Sequence, residues 1–194
     1  MSGAPGAGNL YDVPEGLPEP TDDGACDHLP GMRLPPVALP ATSGEWVDPS
    51  RLPGRTVIYC YPLTGRPGEE MPREWDDIPG ARGCTPQSCA FRDHHAEIQA
   101  LGARVFGLST QSTEYQREAA ERLHLSFELL SDEKLAFAKT LDLPTFEVEE
   151  MTLVKRLTLV IHEGRIETVF YPVFPPGENA AAVVEWLGQR RGDG

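Results

Sequence analysis

The chain has 194 residues, 40% of them hydrophobic, and a formal net charge of −13 at pH 7. A chain of this length can bury one substantial core but is too short for two ordinary domains. Its acidic surface repels phosphate backbones and anionic lipid, so the composition predicts no nucleic-acid partner and no membrane partner.

The first 30 residues are predicted to form a flexible arm. They include acidic residues and many Pro and Gly, but no Lys or Arg. Such a segment buries too little apolar surface to offset the entropy lost on ordering. It has neither the basic region nor the apolar run of a secretory signal, and no stretch of the chain approaches the roughly 20 apolar residues of a membrane span. We therefore expect a cytoplasmic protein whose folded domain is formed by residues 31–194.

Alternating strands and helices are predicted after a short edge strand or hairpin around residues 32–43. Residues 55–61 are apolar on both faces, as in a central strand, and a long loop follows at 63–78. The later predicted elements are a helix at 85–101, a strand at 104–108, a helix at 113–123, a strand at 127–130, a helix with Ser131 as N-cap, two strands at 156–161 and 165–171 joined by a turn at Glu163 and Gly164, and a helix at 179–190. This order predicts an α/β, thioredoxin-like fold, with a mixed central sheet flanked by helices and an N-terminal extension.

The cysteine pattern gives the strongest indication of chemistry. The four cysteines are Cys26, Cys60, Cys84 and Cys89. In a reducing compartment, a close pair favours redox or metal chemistry over a structural disulfide. Thr85 and Pro86 are predicted as the N-cap and first residue of a helix. Cys84 would then lie at the positive end of that helix, where free amide groups and the helix dipole stabilise a thiolate.

The spacing of Cys84 and Cys89 predicts a transient bond. In a regular helix, residues five apart have Cα atoms about 8–9 Å from each other, whereas a disulfide spans about 4.4–6.8 Å. Bridging the pair requires the first helical turn to unwind, which suits a catalytic disulfide. Cys60, in an apolar strand, is predicted to be a buried small hydrophobe. Cys26 is predicted to have no role, although an exposed thiol in the arm could form mixed disulfides.

Three other interpretations of the residues remain open. The cysteine pair could form a structural disulfide, or it could bind zinc together with His94 or His95, although no fourth ligand has a recognisable spacing. The chain could also be a thiol–disulfide oxidoreductase or a redox sensor.

The strings around the cysteine pair resemble those of a known family. They are Tyr61-Pro62, Gly83-Cys84-Thr85, the CAFRD sequence at 89–93, the strand sequence at 155–161 and the Gly-Arg-Ile sequence at 164–166. Together they resemble the Q-type peroxiredoxins, also called bacterioferritin comigratory proteins, over roughly residues 31–190.

The resemblance implies an atypical two-cysteine peroxidase with a thioredoxin fold. Hydrogen peroxide and organic hydroperoxides would be its substrates, thioredoxin its usual reductant, and no metal or organic cofactor would be required. Cys84 matches the peroxidatic cysteine, Cys89 the resolving cysteine of the same chain, and Arg156 the arginine that binds near the thiolate and the peroxide. An Arg at the start of an apolar strand also needs an anionic partner, or else lies at the surface. We expect a monomer or a weak homodimer.

The chain departs from the family pattern at one position. The family has Thr or Ser three residues before the peroxidatic cysteine, whereas this chain has Ala81. If an insertion loops out after Thr64, that residue is predicted to supply the hydroxyl. Trp75, within the inserted loop, is predicted to shape the access of bulky hydroperoxides.

Overall fold

The computed structural model describes residues 9–191. Its strands are β1 Leu39–Pro40, β2 Trp46–Val47, β3 Arg55–Cys60, β4 Ala103–Ser109, β5 Leu129–Ser131, β6 Thr145–Val148, β7 Met151–Val154, β8 Leu157–His162 and β9 Arg165–Phe170. Its α-helices are α1 Cys84–Asp93, α2 His95–Ala100, α3 Thr113–Arg122, α4 Ala136–Leu141 and α5 Asn179–Gln189. Short 3-10 turns occur at Pro49–Arg51, Trp75–Asp77 and Pro176–Glu178.

A five-stranded mixed sheet organises the molecule, in the order β5-β4-β3-β8-β9. Strands β3, β4 and β5 run parallel, while β8 pairs antiparallel with both β3 and β9. Strand β3 is central and buried along almost its whole length, because its residues are apolar on both faces. The predicted α/β fold with a mixed sheet is confirmed.

Residues of β3 alternate between two cores. Ile58 and Cys60 belong to the core on the α4 side, while Val57 and Tyr59 belong to the core shared with α1 and α5. This alternation follows from the two-residue period of a strand. Helices therefore cover both faces of the sheet, and Phe91 of α1 stacks on Tyr59 of β3 with ring centroids 4.4 Å apart.

The helix predicted at 85–101 is two helices. His94, with φ −94° and ψ 2°, ends α1 and precedes α2. His95, directly after this break, is nearly buried, and its Nδ1 lies 2.7 Å from Ser126 Oγ.

The prediction that Ser131 caps the next helix is wrong. Ser131 ends β5, and its hydroxyl donates to the Gln111 carbonyl at 2.6 Å. The chain then turns through Leu135, which has a φ of 57°, and α4 begins at Ala136. The Asp132 carboxylate performs the capping instead, accepting hydrogen bonds from the backbone amides of residues 137 and 138 at 3.0 and 2.8 Å.

The hairpin of β6 and β7 was not predicted from the sequence. Its residues pair in register from Thr145 with Val154 to Val148 with Met151. Phe146 on β6 packs against Trp75 of the inserted loop, with ring centroids 6.2 Å apart. The hairpin therefore supports the loop that the sequence left without a partner.

The buried core extends into the predicted arm. Leu29 is fully buried and Cys26 is 6% exposed, both within the core on the α4 side. The backbone amides of Gly31 and Leu34 donate to the carbonyls of residues 166 and 164, both at 2.8 Å. The expectation that Cys26 is an exposed thiol is therefore wrong, since its side chain packs among apolar neighbours. Residues 1–8 of the predicted arm lie outside the described residues.

Over residues 9–191, none of the helices has both the length and the apolar character needed to cross a bilayer.

Candidate active site

Cys84 is the first residue of α1 and is 3% exposed. The preceding residue, Gly83, has a φ of 109°, and a Cβ atom there would lie 2.3 Å from Pro176 Cγ. Gly83 therefore provides both the left-handed conformation and the close approach that this turn requires. The helix begins one residue earlier than predicted, so the assignment of Thr85 as N-cap is wrong: Thr85 is buried, and no side chain caps α1. Pro86 is still within the first turn, where its missing N–H breaks no helical bond.

Two hydrogen-bond donors converge on the sulfur of Cys84. Arg156 Nη2 donates to Cys84 Sγ at 3.2 Å, and the backbone amide of Leu63 donates to it at 3.4 Å. A thiolate is stabilised by a guanidinium and by amide groups at the start of a helix. The site is therefore arranged to hold negative charge on this sulfur.

Arg156 is a buried residue. It lies between β7 and β8, is 4% exposed, and is thus not the surface Arg that the sequence left as an alternative. Nη2 also donates to the carbonyls of Ala81 and Arg82, at 2.9 and 3.2 Å. Nη1 donates to Gln87 Oε1 at 2.5 Å. These bonds fix the plane of the guanidinium beside the sulfur.

A chain of buried amide groups supports Arg156. Gln87, one turn along α1 from Cys84, donates through Nε2 to Asn179 Oδ1 at 3.1 Å. Asn179, the first residue of α5, also accepts a hydrogen bond from Thr158 Oγ1 at 2.6 Å. Gln87 and Asn179 were not predicted as site residues, although each lies on the buried, mostly apolar face of its helix.

Thr64 is buried directly after the Leu63 amide. Its hydroxyl and its backbone amide both donate to Gln111 Oε1 at 3.1 Å, and Gln111 Nε2 donates to the Thr64 carbonyl at 3.2 Å. Gln111 therefore clamps the backbone that directs the Leu63 amide at Cys84. Gln111 was not predicted from the sequence as a site residue. The predicted role of the Thr64 hydroxyl toward a peroxide stays a prediction.

Cys89 lies on the same helix as Cys84, and neither thiol is bonded to another. Burial raises the pKa of the Cys89 thiol, and the nearby Arg92 guanidinium offsets part of that rise. Regular helical geometry places the two Cα atoms about 8–9 Å apart, beyond the reach of a disulfide. Cys60 is fully buried in β3, so the prediction that it is a core residue is confirmed.

A small cavity of about 10 Å³ lies over Cys84. Its lining includes Leu10, Leu63, Gly65, Met71, Trp75 and Thr85. A cavity of roughly 10–15 Å³ on this measure holds one water molecule. Trp75 lies in the wall, as its predicted role requires.

The residues considered for a zinc site have other partners. His94 Nδ1 lies 3.0 Å from Glu97 Oε2, and His95 Nδ1 contacts Ser126 on the far side of α2. In the part of the chain that the structure describes, no group of three or more His, Cys, Asp or Glu side chains could hold a metal ion.

Known proteins with similar sequences and structures include peroxiredoxins. A family described as Redoxin matches residues 29–184. The chain is 33% identical over 159 residues to the chloroplastic peroxiredoxin Q of Sedum lineare, covering 81% of this chain and 76% of that protein. It is 30% identical over 162 residues to peroxiredoxin Bcp of Escherichia coli, covering 81% and 94%. The crystal structure of peroxidoxin BcpB from Mycobacterium tuberculosis shares the fold, with a TM-score of 0.68 and 24% identity over 84% of this chain and 98% of that one.

Proposed function

The chain belongs to the Redoxin family and is a peroxiredoxin, and from this premise we propose the chemistry of its site. Cys84 is the peroxidatic cysteine, Cys89 is the resolving cysteine, and hydrogen peroxide and organic hydroperoxides are the substrates. The observation that carries the proposal is the buried Cys84 sulfur with the Arg156 guanidinium and the Leu63 amide directed at it.

The first step oxidises Cys84. The thiolate attacks one peroxide oxygen, an S–O bond forms and the O–O bond breaks. The sulfur becomes a sulfenic acid, while the other oxygen leaves as an alkoxide or hydroxide and takes up a proton, giving alcohol or water. Arg156 and the Leu63 amide stabilise the negative charge that moves from sulfur to oxygen. In this proposal the hydroxyl of Thr64, which donates to Gln111 Oε1 in the structure, turns to the peroxide and orients it.

The second step forms an intramolecular disulfide. The Cys89 sulfur attacks the Cys84 sulfenic acid, an S–S bond forms and water leaves. The first turns of α1 must unwind for this step, because helical geometry holds the two cysteines too far apart. A dithiol such as thioredoxin then reduces the disulfide by thiol–disulfide exchange.

The setting of the reaction remains a prediction. A cytoplasmic location would supply thioredoxin or a similar dithiol, and an intramolecular disulfide needs no second copy, in keeping with a monomer or weak homodimer.

Steady-state peroxide consumption with thioredoxin as donor tests the proposal. Cys84→Ser should abolish turnover while the protein stays folded, because serine has no accessible anion at neutral pH. Cys60→Ser is the matched control, since that cysteine is buried away from the pocket, and it should keep turnover. Activity of Cys84→Ser above a few per cent of wild type would remove Cys84 as the nucleophile.

A further inference from the structure

Residues 9–12 form a small self-bonded turn near the start of the described chain. The Asp12 amide donates to the Asn9 carbonyl at 3.1 Å, Asn9 Nδ2 donates to Asp12 Oδ2 at 2.7 Å, and the Tyr11 amide donates to Asn9 Oδ1 at 3.2 Å. Asn and Asp favour such turns because their side chains bond the local backbone. The two central residues, Leu10 and Tyr11, are thereby presented together.

Leu10 is seated over the pocket of Cys84. It shares the lining of that pocket with Met71 and Cys84 itself. A Cβ atom at Gly65 would lie 2.8 Å from both Leu10 Cδ2 and Met71 Sδ. Because Gly65 has no side chain, the side chains of Leu10 and Met71 can both approach it at the wall of the pocket.

Tyr11 lies beside the same inserted loop. It is 50% exposed and close to the Arg122 guanidinium, whose Nη2 donates to the Gly65 carbonyl at 2.9 Å. The turn thus meets the loop through the Leu10 side chain, and its Tyr11 phenol lies near Arg122 of α3, which bonds the same loop. Among residues 9–191, no backbone hydrogen bond joins residues 9–12 to the rest of the chain, so side chains alone hold the turn in place.

With Leu10 in position, the space at the sulfur is that of about one water molecule. Hydrogen peroxide needs little more room than this, whereas a tertiary alkyl or aryl hydroperoxide must displace the Leu10 side chain. Building on the proposed peroxidase function, we propose that the turn at residues 9–12 is a lid, and that Leu10 is a specificity-determining residue favouring hydrogen peroxide over bulky organic hydroperoxides.

The test compares the second-order rate constants for oxidation of Cys84 by hydrogen peroxide and by cumene hydroperoxide. Both are measured by rapid quench and mass spectrometry of the reduced full-length protein. The variants are Leu10→Ala and a deletion of residues 1–12. Leu17→Ala is the matched control, because it removes the same atoms from the same N-terminal segment outside the pocket lining.

Opening the pocket should lower the ratio of the hydrogen peroxide rate to the cumene hydroperoxide rate by about tenfold or more, in keeping with the effect of a few methyl-sized groups on pocket selectivity. The change should come from a faster reaction with cumene hydroperoxide, and Leu17→Ala should keep the wild-type ratio. A ratio within about twofold of wild type in both lid variants, an effect well below that range, would overturn the lid alone. If neither peroxide oxidised Cys84 in the wild-type protein, the proposed function would be overturned and the lid with it.

Discussion

At the scale of single residues, the buried cation at Cys84 is the feature with the largest expected effect. Arg156→Met keeps an unbranched side chain of similar stem but removes the guanidinium that donates to the sulfur and, in the proposal, to the peroxide oxygens. We expect the second-order rate constant with hydrogen peroxide to fall about 10²–10³-fold, the usual effect of losing one such donor. Stopped-flow kinetics measure it, with circular dichroism as the test of folding.

Arg104→Met is the control for that substitution, because Arg104 donates to the Pro53 carbonyl at the exposed end of the sheet. It should react with peroxide at the wild-type rate. Equal rates for the two variants would return Arg156 to a purely structural role.

Gln111 is expected to act through the backbone that it clamps. Gln111→Leu leaves the buried Thr64 hydroxyl and amide without their acceptor. Leaving buried polar groups unpaired should lower the free energy of unfolding by about 1–3 kcal/mol, measured by urea denaturation. The peroxide rate should fall as well, because the Leu63 amide is no longer held toward Cys84. A stable variant with the wild-type rate would show that the clamp has no part in the site.

At the scale of secondary-structure elements, α1 is expected to change between two states. Oxidation by stoichiometric peroxide should link Cys84 to Cys89 and unwind the first turns of α1, because regular geometry keeps the cysteines apart. Amide exchange over residues 83–92 should accelerate in the oxidised protein and recover on reduction. Strand β8, in the sheet core, should change much less. The same protection of residues 83–92 in both redox states would rule out local unfolding.

The folded segment around Cys26 is expected to protect the Cys26 thiol from alkylation. Burial raises the pKa of Cys26 to about 12, so at pH 8 the reactive thiolate is scarce as well as inaccessible. Iodoacetamide at pH 8 should leave Cys26 unmodified in the folded protein and label it in urea, with the fully buried Cys60 as an internal control. Labelling of Cys26 at the same rate with and without urea would show that this segment is detached.

The burial of the Cys26 thiol also predicts how the stability of the folded state changes at high pH. Because the pKa of Cys26 is higher in the folded state than its ordinary value of 9.0, its neutral form contributes stability that is present below pH 9. That contribution declines as the pH rises toward 12.

The sequence predicted those elements whose residue types and spacing indicate their structure without reference to distant partners. Strand β3 is apolar on both faces, and Cys84 and Cys89 define their chemistry by residue type and spacing. Gln87, Asn179 and Gln111 were not predicted, because each has its role through partners on distant segments: Gln111 bonds Thr64, and Asn179 bonds Gln87. The β6–β7 hairpin was missed for a similar reason, since it is stabilised by Trp75 of the inserted loop.

At the scale of the whole molecule, the N-terminal segment and the inserted loop meet over the cysteine of a conventional sheet-and-helix core. Leu10 and Met71 both line the pocket over Cys84, while Leu29 joins the core on the other face. The segment that the composition marks as an arm thus contributes to both the site and the core. The position of this N-terminal segment depends on contacts with residues distant in the sequence, and the composition alone does not reveal those contacts.

The oligomeric state after oxidation follows from the position of both cysteines on one helix. Treatment with one equivalent of peroxide should leave the chain at monomer mobility on a non-reducing gel, because the disulfide forms within the chain. A ladder of disulfide-linked dimers that disappears on reduction would place the resolving cysteine on a second copy.

The sulfur of Cys84 is expected to be oxidised first, and trapping of its sulfenic acid shows which cysteine reacts. Cys89→Ser removes the resolving thiol, so the sulfenic acid should persist after one equivalent of hydrogen peroxide. In the presence of dimedone, mass spectrometry of peptides should show a single adduct on Cys84 and none on Cys26 or Cys60. An adduct on either of those cysteines instead, or no adduct while peroxide is consumed, would show that the Cys84 sulfur is not the first site of oxidation.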